Sequence, residues 1–298
     1  MRNGTIWKDI DENKIHAHGG HILKVKDSYY WYGENRENEN YINCYRSENL
    51  KDWHFCTNLI HTATKCSPLE HTKNASLKNE DGTKINLERP KIIYNKQKKK
   101  YILWMHYENG HDYLDAGIAI ATSDYPDKNF EFHGYFRPFG YMSRDCTIYQ
   151  EDDKGYFISA ANDNADLHVY SMSDDYLNVS ECINQLFIGR YREAPVLFKE
   201  NSTYYLVTSG CSSWDPNQAM YSTSKDLAGK WTQLKNLGDE TTYNSQPAFA
   251  LKFQDRWWYF GDRWGGDGEK YFQSSYVVYP LELDSDENVQ LIKTEEFL

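Results

Sequence analysis

The feature that most constrains the fold is a pattern that the chain repeats five times. Each copy contains a short apolar strand, a polar turn and a second strand rich in aromatic residues, which together predict a β-hairpin. REAPVLFKENSTYYLVTSG, which begins at Arg192, shows the pattern in full. The other copies begin at His18, Glu88, Arg144 and Ser245. Such a repeat predicts an architecture assembled from copies of one small unit.

A second element follows each hairpin. In the first four copies it is another apolar strand, a turn with Ser and Asp or Asn, and usually one more aromatic strand. The anchor positions 18, 88, 145, 193 and 246 lie 70, 57, 48 and 53 residues apart, and such spacings are typical of propeller blades. We therefore predict a single all-β domain over residues 1–298, a five-bladed β-propeller with four-stranded blades that begin near those anchors.

Three expectations concern the rest of the chain. Residues 61–87 are polar and poorly periodic, so we expect them to form an insertion over one face. We expect the last strand to close the ring with the N-terminal segment near Trp7, as propellers often require. The six cysteines form no CxxC pair, which predicts mostly free thiols and no zinc site.

Charge and hydropathy exclude several classes of partner. The net charge of −11 argues against nucleic acid, which needs a basic patch, and against an anionic membrane surface. No apolar run is long enough to span a bilayer, and the polar start of the chain does not resemble a secretory leader. We expect a protein that is cytoplasmic or that has lost a leader.

A polar residue occupies an equivalent place in each hairpin. His18, Asp145, Glu193 and Gln246 each lie 11 positions before an aromatic residue of the second strand, and Glu88 lies 13 positions before its aromatic residue. Equal offsets predict that these side chains begin the innermost strands and converge at one mouth of the central channel. The alternative is that the acids only form ion pairs with neighbouring arginines. Adjacent strand residues point to opposite faces, which counts against that alternative.

Carboxylates, an amide and histidines at one channel mouth suit a carbohydrate ligand. Sugars need aromatic platforms for their CH faces and polar groups for their hydroxyls, and aromatic residues make up 16% of the chain. Glycoside hydrolysis requires two carboxyls across a sugar-sized gap, with one kept protonated by a raised pKa. Glu193 as the acid, with Asp145 as the negative neighbour that raises its pKa, fits this requirement.

Seven segments, in order along essentially the whole chain, resemble glycoside hydrolase family 43, and more narrowly its exo-β-1,3-galactanase branch. They are IHAHGGHILKVKDSYYWYGEN, ERPKIIYN, SRDCTIYQEDDKGYF, GRYREAPVLFK, TSGCSSWDPNQA, NSQPA and YFGDRWGGDG. The resemblance implies a five-bladed propeller. It also implies an inverting exo-enzyme that releases galactose from β-1,3-galactan, such as arabinogalactan backbones.

The resemblance also implies roles for individual residues. Glu193 matches the family's general acid, and Asp145 matches the residue that raises the pKa of that acid. The family's usual Asp base is missing, because HAHGG stands at the start of blade one, with His18 near the place of the base. The galactanase branch shares this departure and is thought to use a glutamine on the last blade, which Gln246 matches. Gln246 would position water through its carbonyl oxygen or accept its proton as the imidic tautomer, unless it only binds a sugar hydroxyl. Glu88 matches a substrate-contacting glutamate that could support either role.

Other candidates for substrate binding each have a structural alternative. The two histidines either hydrogen-bond the sugar or line the channel, or they are buried structural residues. The two tryptophans either stack on a sugar ring or pack between blades. An Asp–Arg pair clamps the substrate unless it is a structural ion pair. These residues are His16, His18, Trp214, Asp262, Arg263 and Trp264, with Tyr113 and Asp115 as further neighbours of the pocket. No metal ligand set or required cofactor is predicted, and a calcium ion in the channel is not inferable.

Two other functions stay open at this stage. One is a family 43 enzyme of different specificity, such as an α-L-arabinofuranosidase or β-xylosidase, although those enzymes need the missing Asp base. The other is an inert galactan-binding propeller, which the missing base favours and the retained Glu193 and Asp145 oppose. Because the fifth repeat runs almost to Leu298, we expect no accessory carbohydrate-binding module, and we expect a monomer.

Overall fold

A computed structural model describes residues 1–298, which form twenty strands and two short 3-10 helices at Pro138–Gly140 and Gly268–Gln273. The first sheet contains β1 (His18–Val25), β2 (Ser28–Glu34), β3 (Asn40–Ser47) and β4 (His54–His61). The second contains β5 (Asn86–Asn95), β6 (Lys100–Glu108), β7 (Gly117–Ser123) and β8 (Glu131–Phe136). The third contains β9 (Cys146–Glu151), β10 (Lys154–Ala161), β11 (Asp166–Met172) and β12 (Val179–Leu186). The fourth contains β13 (Arg192–Glu200), β14 (Thr203–Gly210), β15 (Ala219–Ser224) and β16 (Lys235–Leu237), and the fifth contains β17 (Gln246–Phe253), β18 (Arg256–Arg263), β19 (Ser275–Leu283) and β20 (Val289–Leu291).

The five sheets are the blades of a propeller. Each is antiparallel, with its strands paired in chain order, and the first strand of every blade contacts the first strand of both neighbouring blades. The strands β1, β5, β9, β13 and β17 therefore close a ring around a central channel. This confirms the predicted five-bladed propeller with four-stranded blades. None of its helices has the length and apolar character needed to cross a membrane.

Local sequence explains the hairpins and the packing between blades. Two-residue turns at positions 26–27, 152–153, 201–202 and 254–255 each begin with a residue of positive φ, as tight hairpin turns require. Aromatic side chains then fill the space between neighbouring blades. The rings of Trp104 and Phe157 lie 4.7 Å apart between blades two and three, and those of Phe198 and Trp257 lie 4.8 Å apart between blades four and five.

The chain termini close the ring. The backbone N–H of Asn3 donates to the carbonyl of Glu295 at 2.8 Å, and that of Gly4 donates to Tyr276 in β19 at 2.8 Å. Trp7 packs 5.4 Å from Tyr276. The N-terminal segment therefore pairs with β19 and with the tail that follows β20, rather than with the last strand itself.

The polar insertion lies along an edge of the sheet. Between β4 and β5, the backbone N–H groups of Ser67 and Lys73 donate to Phe132 and Tyr135 of β8 at 2.8 and 2.7 Å. The insertion thus covers the outer edge of the second blade rather than a face. Covering an edge strand in this way blocks its pairing with other chains.

A bulge follows the anchor residue in three of the innermost strands. Strands β1, β5 and β13 each lose register directly after the anchor residue. The following residue has positive φ in all three: 57° at Gly19, 52° at Arg89 and 48° at Ala194. A bulge re-aims a side chain, and a positive φ is unfavourable for a residue other than glycine. The backbone therefore holds local strain where the site is built.

Candidate active site

A pocket of about 260 Å³ opens where the innermost strands begin. Six of the ten predicted site residues line it, including all three proposed for catalysis. They are Glu88, Asp145, Glu193, Trp214, Gln246 and Trp264. The sequence-based expectation that the anchors meet at one mouth of the channel therefore agrees with the position of the acidic and amide anchors.

Glu193 has the environment of a proton donor. Burial raises the pKa of its carboxyl to about 7, with a further rise from the negative charge of Asp145, while the positive charge of Arg89 lowers it. Its Oε1 accepts a hydrogen bond from Gln246 Nε2 at 3.0 Å, and its Oε2 accepts one from Asn164 Nδ2 at 3.3 Å. A carboxyl with a pKa near neutrality can donate a proton at working pH.

Asp145 is fixed beside Glu193 by the backbone and by a buried arginine. Its Oδ2 accepts from the backbone N–H of Ala194 at 3.1 Å and lies 3.3 Å from Arg89 Nε. The sequence neighbour Arg144 instead pairs with Asp163 at 2.7 Å. The alternative in which Asp145 is neutralised by its neighbouring arginine therefore does not describe this site.

Gln246 uses all of its hydrogen-bonding capacity. Its Oε1 accepts from Arg89 Nη2 and, at 2.7 Å, from Trp264 Nε1. Its Nε2 donates to Glu193 Oε1 and to Ser209 Oγ, both at 3.0 Å. Arg89 and Trp264 can only donate, so they determine which way the amide points. In this state the carbonyl is fully engaged by donors, and an imidic O–H would have no acceptor there.

Glu88 is held as a carboxylate. Burial opposes its ionisation, but hydrogen bonding to His106 and the charge of Arg36 lower its pKa to about 2. Its Oε1 accepts from Arg36 Nη2 at 3.0 Å and from Tyr113 Oη at 2.9 Å. Tyr113 thus lines the pocket, whereas Asp115 lies outside it and accepts from Tyr135 at 3.1 Å.

His106 is a buried imidazolium. Burial disfavours its charge, but hydrogen bonds to Glu108 and Glu88 raise its pKa to about 9. Ligand atoms of Glu88, His106 and Asp145 all lie within 4.8 Å of one another, which is a spacing that a metal ion could bridge. The ring nitrogens of His106 lie 2.8 Å from Glu108 Oε1 and 3.3 Å from Glu88 Oε2, so this histidine joins two carboxylates of the second blade.

The channel behind the pocket contains a fixed cation. Lys91 is fully buried, and its Nζ donates to the carbonyls of Gly19 at 2.6 Å and Gly20 at 3.0 Å. Burial lowers the pKa of Lys91 to about 8. The lysine therefore ties β5 to the bulge that follows His18.

Four predicted substrate-binding residues lie outside the pocket. His18 is fully buried, its Nδ1 lies 2.9 Å from Asp262 Oδ1, and its ring lies 5.6 Å from that of Trp264. Burial lowers the pKa of His18, so it is a neutral support behind that tryptophan. Arg263 donates to the backbone carbonyls of residues 243 and 244. His16 is buried and its Nε2 lies 3.1 Å from a Glu37 oxygen.

The two tryptophans form one wall of the pocket. The rings of Trp214 and Trp264 lie 5.5 Å apart at an angle of 76°. The guanidinium of Arg36 lies 5.7 Å from the Trp214 ring and 4.6 Å from that of Tyr271. The wall therefore combines aromatic faces with a positive charge.

Several pocket residues were missed by the sequence analysis, although the hairpin register would have found some of them. For four of the five anchors, the residue directly across the hairpin forms the next layer of the site. His18 pairs with Glu34, Glu88 with His106, Glu193 with Ser209 and Gln246 with Asp262. Arg36, Arg89, Arg144 and Asn164 also line the pocket. Their loop and bulge positions give no comparable signal in a single sequence.

Together, the fold and the site define a five-bladed propeller that brings the carboxyls of Asp145 and Glu193 into one pocket at the mouth of its channel. The sequence matches the family model described as glycosyl hydrolases family 43 over residues 16–246. The chain therefore belongs to glycoside hydrolase family 43, which confirms the resemblance found in its seven segments. No match was found among curated protein sequences.

Solved structures similar to this chain share its fold over nearly its whole length. An exo-β-1,3-galactanase from Clostridium thermocellum is 44% identical, with a TM-score of 0.88, and the match covers 98% of this chain and 64% of that one. An exo-β-1,3-galactanase from Phanerochaete chrysosporium, solved with β-1,3-galactotriose, is 29% identical over 99% of this chain and 67% of that one, with a TM-score of 0.86. A family 43 β-1,3-galactosidase solved with galactodeoxynojirimycin is 28% identical over 100% of this chain and 99% of that one, with a TM-score of 0.88.

Proposed function

We propose that the protein is an exo-acting, inverting glycoside hydrolase that releases galactose from β-1,3-linked galactan. The observation that carries this proposal is the protonatable Glu193, with a pKa of about 7, beside Asp145 in a compact pocket. Similar structures are exo-β-1,3-galactanases and a β-1,3-galactosidase, and one was solved with β-1,3-galactotriose. The chain uses no cofactor in this proposal.

In the proposed reaction Glu193 donates its proton to the glycosidic oxygen as the bond from that oxygen to C1 breaks. A water molecule attacks C1 from the opposite face, so the configuration inverts. Before substrate binds, the proton is best placed on Glu193 Oε2, because Oε1 accepts from Gln246. A half turn of the Asn164 amide would present Oδ1 to that proton, and this oxygen is buried without another partner.

Gln246 is proposed to position the attacking water through Nε2 instead of through its carbonyl oxygen, because Arg89 and Trp264 already donate to that oxygen. Since its amide now bonds directly to Glu193, substrate must enter between the two side chains and release Nε2. The freed N–H can then donate to the attacking water and orient it. The proton of that water goes either to the Glu88 carboxylate or, once Arg89 and Trp264 have released it, to Gln246 Oε1. In the second route Nε2 passes one of its own protons to the ionised Glu193 as the product leaves, which gives the neutral imidic tautomer and restores the acid.

Gln246→Ala is expected to lower kcat by about 10²- to 10³-fold, the usual effect of removing one preorganised polar group, with a much smaller change in KM. Kinetics on β-1,3-galactobiose measure it. Ser209→Ala is the matched control, because it removes a partner of the same amide from a buried position, and it should lower kcat by less than about tenfold. Retained activity in Gln246→Ala would contradict the role and direct attention to Glu88→Gln.

The substrate is tested with purified protein on β-1,3-galactan, aryl α-L-arabinofuranosides and aryl β-xylosides. We expect galactose from the galactan and no release from the other substrates. Release of arabinose or xylose instead would indicate a family 43 enzyme of different specificity. Binding of galactan without release of any sugar would indicate an inert binding propeller.

A further inference from the structure

Two cysteines of the first blade lie side by side on neighbouring strands. Cys44 in β3 pairs with Thr57 in β4, whereas the next residue, Tyr45, pairs with Phe55, so Cys56 is the extra residue of a bulge. A bulge re-aims the side chain of its extra residue. Both cysteines pack against the same hydrophobic cluster, which lies between blades one and two. Cys44 and Cys56 therefore share one face of the sheet.

The spacing of these two cysteines suits a disulfide. Neighbouring strands lie about 4.8 Å apart, and the Cα atoms of a disulfide are usually about 4.4–6.8 Å apart. The thiol of Cys44 is hydrogen-bonded to that of Cys56, so the two sulfur atoms are already neighbours. Both are free thiols in this structure, and joining them requires only a small movement of the side chains.

Cys56 has the environment of a reactive thiol. It is half-buried and lines an open groove of about 770 Å³ together with Arg46, Asp127 and Lys128. Hydrogen bonding from Cys44 lowers the pKa of Cys56, and the charge of Arg46 adds to this, although burial and the charge of Asp127 oppose it. An accessible thiol of lowered pKa beside a second cysteine is typical of redox-active pairs.

Cys44 has the opposite environment. It is fully buried, and burial raises the pKa of its thiol well above the ordinary value. A dissolved oxidant therefore reacts with Cys56 first, and Cys44 enters only as the partner of the oxidised sulfur. Cys66 offers a comparison within the chain, because it packs against the same cluster but burial raises its pKa.

We propose that Cys44 and Cys56 form a reversible disulfide when the protein meets a peroxide. The Cys56 sulfur attacks one peroxide oxygen, the O–O bond breaks, and a sulfenic acid and one water form. The Cys44 sulfur then displaces the hydroxyl from Cys56, and its proton goes to that hydroxyl, which leaves as a second water. Two thiols lose two electrons, and one peroxide gains them. A dithiol reductant restores both thiols by exchange.

The bridge would join the outermost strand of the first blade to its neighbour. Neither cysteine lines the pocket, so this inference holds whether or not the protein releases galactose.

The test treats the fully reduced protein with hydrogen peroxide and maps the products by mass spectrometry without reduction. Trypsin cuts after Arg46 and Lys51, so Cys44 and Cys56 end on separate peptides. We expect the free thiols to fall by two from the original six, a linked pair of these two peptides, and full reversal by dithiothreitol. Before oxidation, iodoacetamide should label Cys56 at least about tenfold faster than Cys66.

Cys66→Ser is the matched control and should leave the linked peptides unchanged. Cys56→Ser, at a half-buried position that tolerates a hydroxyl, should abolish them, and Cys44→Ser should leave a sulfenic acid on Cys56 that dimedone traps. Three results in the unmodified protein would overturn the inference. They are linkage of Cys56 to a different cysteine, oxidation of Cys56 to the sulfinic acid with Cys44 still free, and equal labelling of Cys56 and Cys66 with no loss of thiols in peroxide.

Discussion

Glu193→Gln is expected to lower kcat/KM for β-1,3-galactobiose by about 10³- to 10⁴-fold, because glutamine has the shape of the acid but carries no transferable proton. The same variant should lose far less activity on an aryl galactoside with an acidic phenol, whose departure needs no protonation. Measuring both substrates separates the loss of a proton donor from general damage to the pocket. Equal losses on the two substrates would contradict the assignment of Glu193 as the acid.

Two controls accompany this variant. Glu200→Gln makes the same change at the other end of β13, where Glu200 binds Lys252 and Trp257, and it should leave activity unchanged. The second control is the unfolding temperature of the variant as a function of pH. The folded pKa of Glu193, about 7, lies above its ordinary value of 4.5, so its stabilising contribution is present below pH 4.5 and is lost as the pH rises through 7. Glu193→Gln should therefore unfold at a higher temperature than the unmodified protein at alkaline pH.

Asp145→Asn is expected to move the alkaline limb of the kcat/KM profile to lower pH. The rate should fall above pH 7 in the unmodified protein, since Glu193 must be protonated and its pKa is about 7. Removing the negative charge of Asp145 ends a repulsion that disfavours ionised Glu193. It also leaves Arg89 without its carboxylate partner, and both effects lower the pKa of Glu193. Charges at such short range shift a pKa by about one to three units.

A pH profile of kcat/KM from about pH 4 to about pH 9 measures this shift, and activity at neutral pH should fall about tenfold or more. Asp163→Asn is the matched control, because it neutralises an exposed carboxylate that pairs with Arg144. An unchanged limb in Asp145→Asn would contradict the account. The limb would then belong to another carboxyl, and burial also raises the pKa of Glu34 to about 7. Glu34→Gln would test that assignment.

The ring of blades could be predicted from the sequence because a propeller repeats its local signals. Each hairpin carries its own turn and its own aromatic strand, so five copies of a short pattern determine both the number of blades and the position of each innermost strand. The convergence of Glu88, Asp145, Glu193 and Gln246 followed from the same repetition. Their side chains reach the pocket because the repeat places them at the start of equivalent strands.

The remaining parts of the site depend on contacts between blades, which a repeat within one blade does not encode. Arg89 of blade two links Asp145 of blade three to Gln246 of blade five. No residue spacing in the sequence predicts these contacts between different blades. The same holds for the direct hydrogen bond from Gln246 to Glu193. His18 shows the reverse error, since its equivalent position suggested substrate contact whereas its side chain packs behind Trp264.

The central claim is that a protonated Glu193 assists an inverting displacement on a β-linked galactoside. The most direct test follows the first turnovers on β-1,3-galactobiose by proton NMR, before the anomers of free galactose equilibrate. The account predicts that α-galactose appears first and that the β anomer grows only by mutarotation. Initial release of β-galactose would contradict it, because retention requires a covalent intermediate and a carboxylate nucleophile in place of an oriented water.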